Sequence, residues 1–180
     1  MVAVVSPAKT ANPDLLAVLV AGEGEGTETL GPLDLSGTDV DPEAFEMLLE
    51  VAAQVGSYGR EGRPVGALFV IGDSVEVMER SNALTLNPFQ GYGEAERNLL
   101  DPKVRAAILN FAGLDGAFVI RGDGVVLAAG RHLLVTEPVP MPLGLGARHY
   151  AAAAVSNNTR AIGVAVSQTS GCVRLFREGK

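Results

Sequence analysis

The chain predicts an α/β fold, a mixed, twisted central β-sheet flanked by helices. Three observations carry that expectation. Two segments, 41–56 and 101–113, place apolar residues at helical spacing behind an Asp-Pro start. Short apolar runs bounded by glycine and aspartate alternate with them. An alanine-rich stretch follows Gly144-Leu145-Gly146. Helical periods interleaved with buried strands describe helices layered on a sheet.

The elements follow in order. Residues 1–40 read as an N-terminal arm or the remnant of a longer N-terminal region, and 41–180 as the main domain. Within the arm, 15–20 is a buried-strand candidate, and Gly22-Glu23-Gly24-Glu25-Gly26 is a loop. That G-x-G-x-G is not a dinucleotide fingerprint, because Thr27 stands where the pattern continues and no helix period follows. Asp41 is an N-cap with Pro42 behind it, Phe45, Leu48, Leu49, Ala52 and Val55 form one face, and Gly56 stops the run. The run 65–72 is a buried strand, with 74–78 as its hairpin partner. Asp101-Pro102 opens a second helix with Val104, Ala107, Ile108 and Phe111 on one face. The runs 117–120 and 125–129 form a hairpin around Gly122-Asp123-Gly124. A proline-rich loop over 137–142 leads into the alanine-rich helix, which ends near Asn157-Asn158. The runs 161–166 and 172–176 are a last pair of strands turned at Thr169-Ser170-Gly171.

A chain of 180 residues is long enough for one well-filled core. No apolar run reaches the length of a membrane span. No basic residue precedes the first apolar residues, as a signal peptide requires. Cys172 is alone, which leaves no disulfide framework or zinc cluster. It is expected inside an apolar strand as an inert core thiol. Together these features fit a cytoplasmic protein without a membrane partner. The net charge of −7 argues against a nucleic-acid partner, which calls for a basic footprint. A polyphosphate would have to be held locally, by a few arginines, backbone amides and a divalent metal.

Two blocks carry the chemistry. Asp115-Gly116-Ala117 sets a carboxylate at a strand edge, where it can hold a metal, take a proton from a hydroxyl, or cap a turn. Gly144-Leu145-Gly146-Ala147-Arg148-His149 is a glycine-rich lead-in to a helix. The first-turn amides of a helix are unpaired and its dipole favours anions there. Arg148 brings a planar fork of donors against the dipole's preference, which itself favours an anion. His149 can donate to a phosphate, orient a carboxylate, ligate a metal, or pack half-buried on the sheet. Ser167 ends a strand and serves either a phosphate or a turn. The two histidines, His132 and His149, make no zinc motif. A carboxylate beside a phosphate cradle points to nucleotide chemistry.

As an ordered set, these blocks resemble the diadenylate cyclase domain, the module that makes cyclic di-AMP. The counterparts of the family's Asp-Gly-Ala, Arg-His-Arg and serine-bearing strand end are Asp115-Gly116-Ala117, Arg148-His149-Tyr150 and Ser167-Gln168. The strand Gly66-Ala67-Leu68-Phe69-Val70-Ile71 and the segment 126–133, which ends at Leu133, agree as well. The match spans roughly 42–177 and is closest to stand-alone members of the archaeal kind. Family members usually have Thr where this chain has Ala147 and Arg where it has Tyr150, and Arg160 or Arg131 could compensate. Many have His at the position of Leu114. Gln168 is more like the DNA-scanning branch, whose helical DNA-binding region is expected to be lacking here.

The resemblance implies an enzyme that condenses two ATP into cyclic di-AMP and two pyrophosphates. It implies a face-to-face homodimer or higher homo-oligomer, with Mg²⁺ or Mn²⁺ as cofactor. Asp115 would activate the 3′-hydroxyl and hold the metal. Gly116, Ala117 and Leu133 would line the adenine and ribose pocket. Arg148, His149, Ser167 and the amides of Gly146 and Ala147 would hold the phosphates. A nucleotide sensor without turnover, or a structural subunit with 1–40 serving assembly, are the alternatives.

Overall fold

The computed structural model describes residues 3–5, 18–20, 35–59, 62–134, 137–140 and 144–180. The loop expected over 22–26 lies outside them, as do parts of the 15–20 strand and of the 137–142 loop.

Among the described residues, eight strands form one sheet. In chain order the elements are β1 (Ala3–Val5), β2 (Val18–Val20), α1 (Pro42–Tyr58), β3 (Ala67–Ile71), α2 (Ser74–Glu79), β4 (Ser81–Ala83), a 3₁₀ turn (Glu94–Arg97), α3 (Pro102–Phe111), β5 (Ala117–Ile120), β6 (Val126–Leu133), α4 (Ala147–Asn158), β7 (Ile162–Val166) and β8 (Val173–Phe176). The spatial order is β2-β1-β8-β7-β3-β5-β6-β4. β3 and β5 are parallel, and every other pairing is antiparallel, so the sheet is mixed. Two short strands of the N-terminal arm thus extend the sheet at β8.

Both faces are covered, which explains why the central strands read as unbroken apolar runs. Phe69, Ile71, Phe118, Ile120, Ile162 and Val164 face α1 and α3, while Leu68, Val70, Ala117, Val119 and Ala165 face α2 and α4. Phe69 and Phe118 meet at a 5.1 Å ring separation at the centre. Fully burying side chains of this size stabilises the fold by roughly 1.5–3 kcal/mol each.

Local signals set the helix starts. Asp41 accepts from the Glu43 and Ala44 amides at 2.8 and 3.4 Å, and Asp101 from the Lys103 amide at 2.8 Å. Each such cap contributes about 1 kcal/mol.

Four expectations are corrected. Residues 74–78 are not a hairpin partner but lie in α2, and it is β4 that pairs with β6. Val75 is 72% exposed and Val77 fully buried. A strand would put both on one face, whereas a helix separates them, and the Glu76–Arg80 ion pair at 2.7 Å supports that helix. Gly56 does not end α1, which runs to Tyr58 and is capped by Gly59 at φ 59°. β6 continues to Leu133, beyond the expected 129, with two register shifts against β5. Cys172 lies in the turn before β8 and is half-buried, rather than inside the strand.

α4 packs close to the sheet because its contact residues are small. A Cβ on Gly163 would lie 2.7 Å from the Ala152 carbonyl oxygen. Alanines at 151–154 are therefore what this helix–strand distance accepts.

Candidate functional site

The start of β5, the end of β6 and the first turn of α4 enclose a cleft of about 340 Å³. Asp115 and Gly116 form one edge and Leu133, with Arg131 and His132, the floor. Ala147, Arg148 and Tyr150 form the opposite wall, and Leu68 and Leu84 complete the apolar part. Two sequence blocks thirty-three positions apart thus meet, because β5 and α4 both begin at this side of the sheet.

Asp115 is exposed, and its Oδ1 accepts from the Gly116 amide at 3.0 Å. That bond fixes one oxygen at the turn. Gly116 has φ 93°, and a Cβ there would come within 2.8 Å of the Gly130–Arg131 backbone. Only glycine allows β6 to approach so closely beneath the carboxylate.

Arg148 is half-buried, one residue into a helix start that has no side-chain cap. Its guanidinium lies over Gly66, where a Cβ would be 3.0 Å from Nη1, 3.0 Å from the Val166 carbonyl oxygen and 3.2 Å from the Gln168 side chain. Arg148 therefore reaches from the cleft toward the end of β7. There Ser167 opens the turn to β8, its hydroxyl accepting from the Ser170 amide at 3.3 Å. Ser167 borders a second, smaller cleft of about 200 Å³ between the end of α1 and that turn. Gly56 and Gly171 touch backbone to backbone at its base.

Not every candidate joins the cleft. Asp115, Gly116, Leu133, Ala147 and Arg148 line it, while Ala117 is buried beneath and Gly146 is the helix N-cap beside it. His149 faces the sheet. It is 5% exposed, with its Nε2 at 3.2 Å from Arg174 Nη1 and its ring edge-on to Phe176. Burial, then the charges of Arg174 and Arg148, push its pKa from 6.5 down to about 4. It is neutral at pH 7. Arg160 stands past the far end of α4, about 18 Å from Arg148 by helical rise, and pairs with Asp73. It cannot replace an arginine of the first turn within one subunit. Arg131 does line the cleft, but its Nε donates to Ser81 Oγ at 3.0 Å and its Nη2 to the Met78 carbonyl at 3.1 Å. It holds α2 and β4 to β6.

Sequence reasoning missed Gly66, Tyr150 and His132 as lining or supporting residues. A glycine opening an otherwise apolar strand was the available signal for Gly66.

Two arginines, Arg131 and Arg148, line the cleft with one carboxylate, so its lining is net positive in a chain of net charge −7. A local field of this sign attracts an anionic ligand. Among the described residues, no group of three or more His, Cys, Asp or Glu side chains could hold a metal. The remaining Asp115 oxygen suits a hard divalent cation that takes its other ligands from phosphates and water. No described helix is long and apolar enough to cross a membrane. The Arg121–Glu94–Asp123 cluster, with bonds of 2.7–2.9 Å, sits at the other end of β5, about 20 Å from Asp115 by strand rise. It holds the 3₁₀ turn to the hairpin.

The family model described as "DisA bacterial checkpoint controller nucleotide-binding" (DAC) matches residues 54–180. A diadenylate cyclase of Methanocaldococcus jannaschii is 41% identical over 181 residues, covering the whole chain and 58% of that protein. A diadenylate cyclase of Haloferax volcanii is 41% identical over 141 residues, covering 78% of this chain and 51% of that protein. The chain thus spans somewhat more than half the length of these relatives. Among solved structures, a double-cysteine mutant of DacA from Staphylococcus aureus superposes with a TM-score of 0.52 at 21% identity, over 77% of this chain and 83% of that one. A hypothetical membrane-spanning protein of Bacillus cereus does so with a TM-score of 0.56 at 19% identity, over 77% and 61%. These two likenesses concern the fold.

Proposed function

Because the chain belongs to the DisA-type nucleotide-binding (DAC) family, we propose that it is a diadenylate cyclase, converting two ATP into cyclic di-AMP and two pyrophosphates. The observation that carries this reading is the meeting of Asp115 and Arg148 across one cleft. A reaction of this kind needs an oxygen nucleophile activated at one point and phosphate charge neutralised at another.

In this reading, Leu133, Leu68 and Leu84 receive the adenine, with Gly116 and Ala117 forming the close backbone floor for the ribose. Arg148, the amides of Gly146 and Ala147, and Ser167 hold the triphosphate. His149 supports the turn from below. Asp115 takes the proton of the 3′-hydroxyl as that oxygen attacks the α-phosphorus of an ATP held by a facing subunit. Pyrophosphate leaves, and the second half-reaction closes the ring. Mg²⁺ or Mn²⁺ bound at Asp115 would supply charge neutralisation at the phosphates and lower the hydroxyl's pKa. Each subunit holds one nucleotide, so the product requires a homodimer. ATP as the substrate fits a cytoplasmic protein.

Tyr150, where the family usually has a second arginine, supports a second reading as a nucleotide sensor without turnover. Incubation with ATP and Mn²⁺, followed by chromatography of the products, tests both. Cyclic di-AMP is the expected product. ATP binding without product would favour the sensor, and absence of nucleotide binding would remove both. Titrating Asp115→Asn subunits into a fixed amount of wild type tests the facing pair. Activity per wild-type subunit should fall and linear pppApA accumulate; constant activity without it would mean that each chain acts alone.

A further inference from the structure

We propose that Arg174 is a positioning residue that fixes the first turn of α4 through His149 and so aims Arg148 at its ligand. The inference rests on the reading of Arg148 as the phosphate-binding arginine.

The first turn of α4 has few anchors of its own. Gly146 offers no side-chain cap, and Ala147 is exposed. Arg148 and Tyr150 are half-buried at the cleft wall. His149 is the one large, buried side chain of that turn, held between Arg174 and the ring of Phe176. Arg174 and Phe176 belong to one face of β8, and Arg174 sits opposite Ala165 of β7, so its backbone is fixed by the sheet ladder. A guanidinium has donors and no acceptor, so the 3.2 Å contact requires His149 Nε2 to accept and its proton to sit on Nδ1. One tautomer and one ring orientation follow. The adjacent residue in the same turn is Arg148, whose Nη1 lies over Gly66 beside the Val166 carbonyl and Gln168. Rotating the turn by even part of a residue would lift it away. Arg174 thus ties the inner sheet to the ligand-facing arginine without touching the ligand.

Packing alone would make any side chain of similar bulk adequate, and the test separates the two. Arg174→Met removes the donor and keeps much of the stem, and Arg174→Lys restores a donor. Binding of 3′-deoxy-ATP with Mg²⁺, which lacks the attacking hydroxyl, is measured by calorimetry beside the melting temperature. The expected result is a Kd raised about tenfold in Arg174→Met, because the turn no longer holds Arg148 aimed at its ligand. Arg174→Lys should stay within about threefold of wild type, and Arg174→Met should still melt cooperatively, within about 10 °C of wild type. Equal Kd in Arg174→Met and wild type overturns the proposal alone. Wild type that does not bind 3′-deoxy-ATP overturns the site reading and the proposal with it. Should Arg174→Met fail to fold, ¹⁵N spectra of the wild-type imidazoles at pH 7 decide, with His132→Asn used for assignment. An Nδ1-protonated His149 is expected, and an Nε2-protonated one overturns the proposal.

Discussion

Arg148 lies across Gly66, its Nη1 where only a missing side chain leaves room: a Cβ on Gly66 would stand 3.0 Å away. The same Cβ would press on the Val166 carbonyl, which the sheet cannot move cheaply. Gly66→Ala is therefore expected to displace the guanidinium and weaken nucleotide binding about tenfold, with a stability loss of about 1–2 kcal/mol. Calorimetric ATP affinity beside a denaturation curve checks this. Unchanged affinity would show that the arginine has another resting place of equal use.

Asp115 is exposed and makes one short bond to its neighbour's amide. Asp115→Asn keeps that acceptor and the shape, so stability should stay within about 0.5 kcal/mol of wild type. Cyclic di-AMP synthesis should nevertheless disappear, because the charge that activates the hydroxyl or holds the metal is gone. Product chromatography and a thermal melt on the same sample make the comparison. Near-normal turnover would remove Asp115 from the chemistry.

Arg148→Ala should raise KM and lower kcat together, since the guanidinium neutralises phosphate in the bound and reacting states alike. A charge-assisted bond of this kind contributes on the order of 1.5–3 kcal/mol. Steady-state kinetics at saturating metal read it, and unaltered constants would demote Arg148 to a wall of the cleft.

His149 carries a pH signature. Its folded pKa of about 4 lies below the ordinary 6.5, so the unfolded chain binds the proton first as pH falls. The stability this buried neutral imidazole contributes is complete above about pH 6.5. It is lost progressively as pH falls from there to about 4, up to about 3 kcal/mol in all. His149→Gln, which can still accept from Arg174 and does not titrate, should flatten that part of the stability curve. Urea denaturation at pH 7, 6, 5 and 4 compares the two. Parallel curves would mean that His149 titrates alike in both states.

What could be read beforehand was what neighbouring residues decide. Asp41-Pro42 and Asp101-Pro102 carry their own cap and helix start, and both behave as expected. The turn at Gly122-Asp123-Gly124 does too, with the Gly124 amide bonded to the Arg121 carbonyl at 2.9 Å. The 74–78 segment misleads because Val75 and Val77 alternate like a strand, while a third layer buries one of them and leaves the other in solvent. The fate of His149 depends on Arg174, on a strand that follows it in sequence and lies beneath it in space. Nothing in its own helix announces that partner. The support of Arg148 by Gly66 is equally non-local. The exclusion of Arg160 was within reach, since helical rise alone separates the two ends of α4.

The contact between Gly56 and Gly171 has a consequence for how this chain can vary. Each glycine occupies the space a side chain on the other would enter, and each presents only backbone to its partner. A substitution at one therefore has no compensating change at the other, because nothing there can be trimmed. The two positions, far apart in the chain, are locked as a pair: descendants keep both, or they re-route the last turn of α1 or the turn before β8 as a whole. Insertions in either segment should accordingly be accepted on its outer side and refused at this junction.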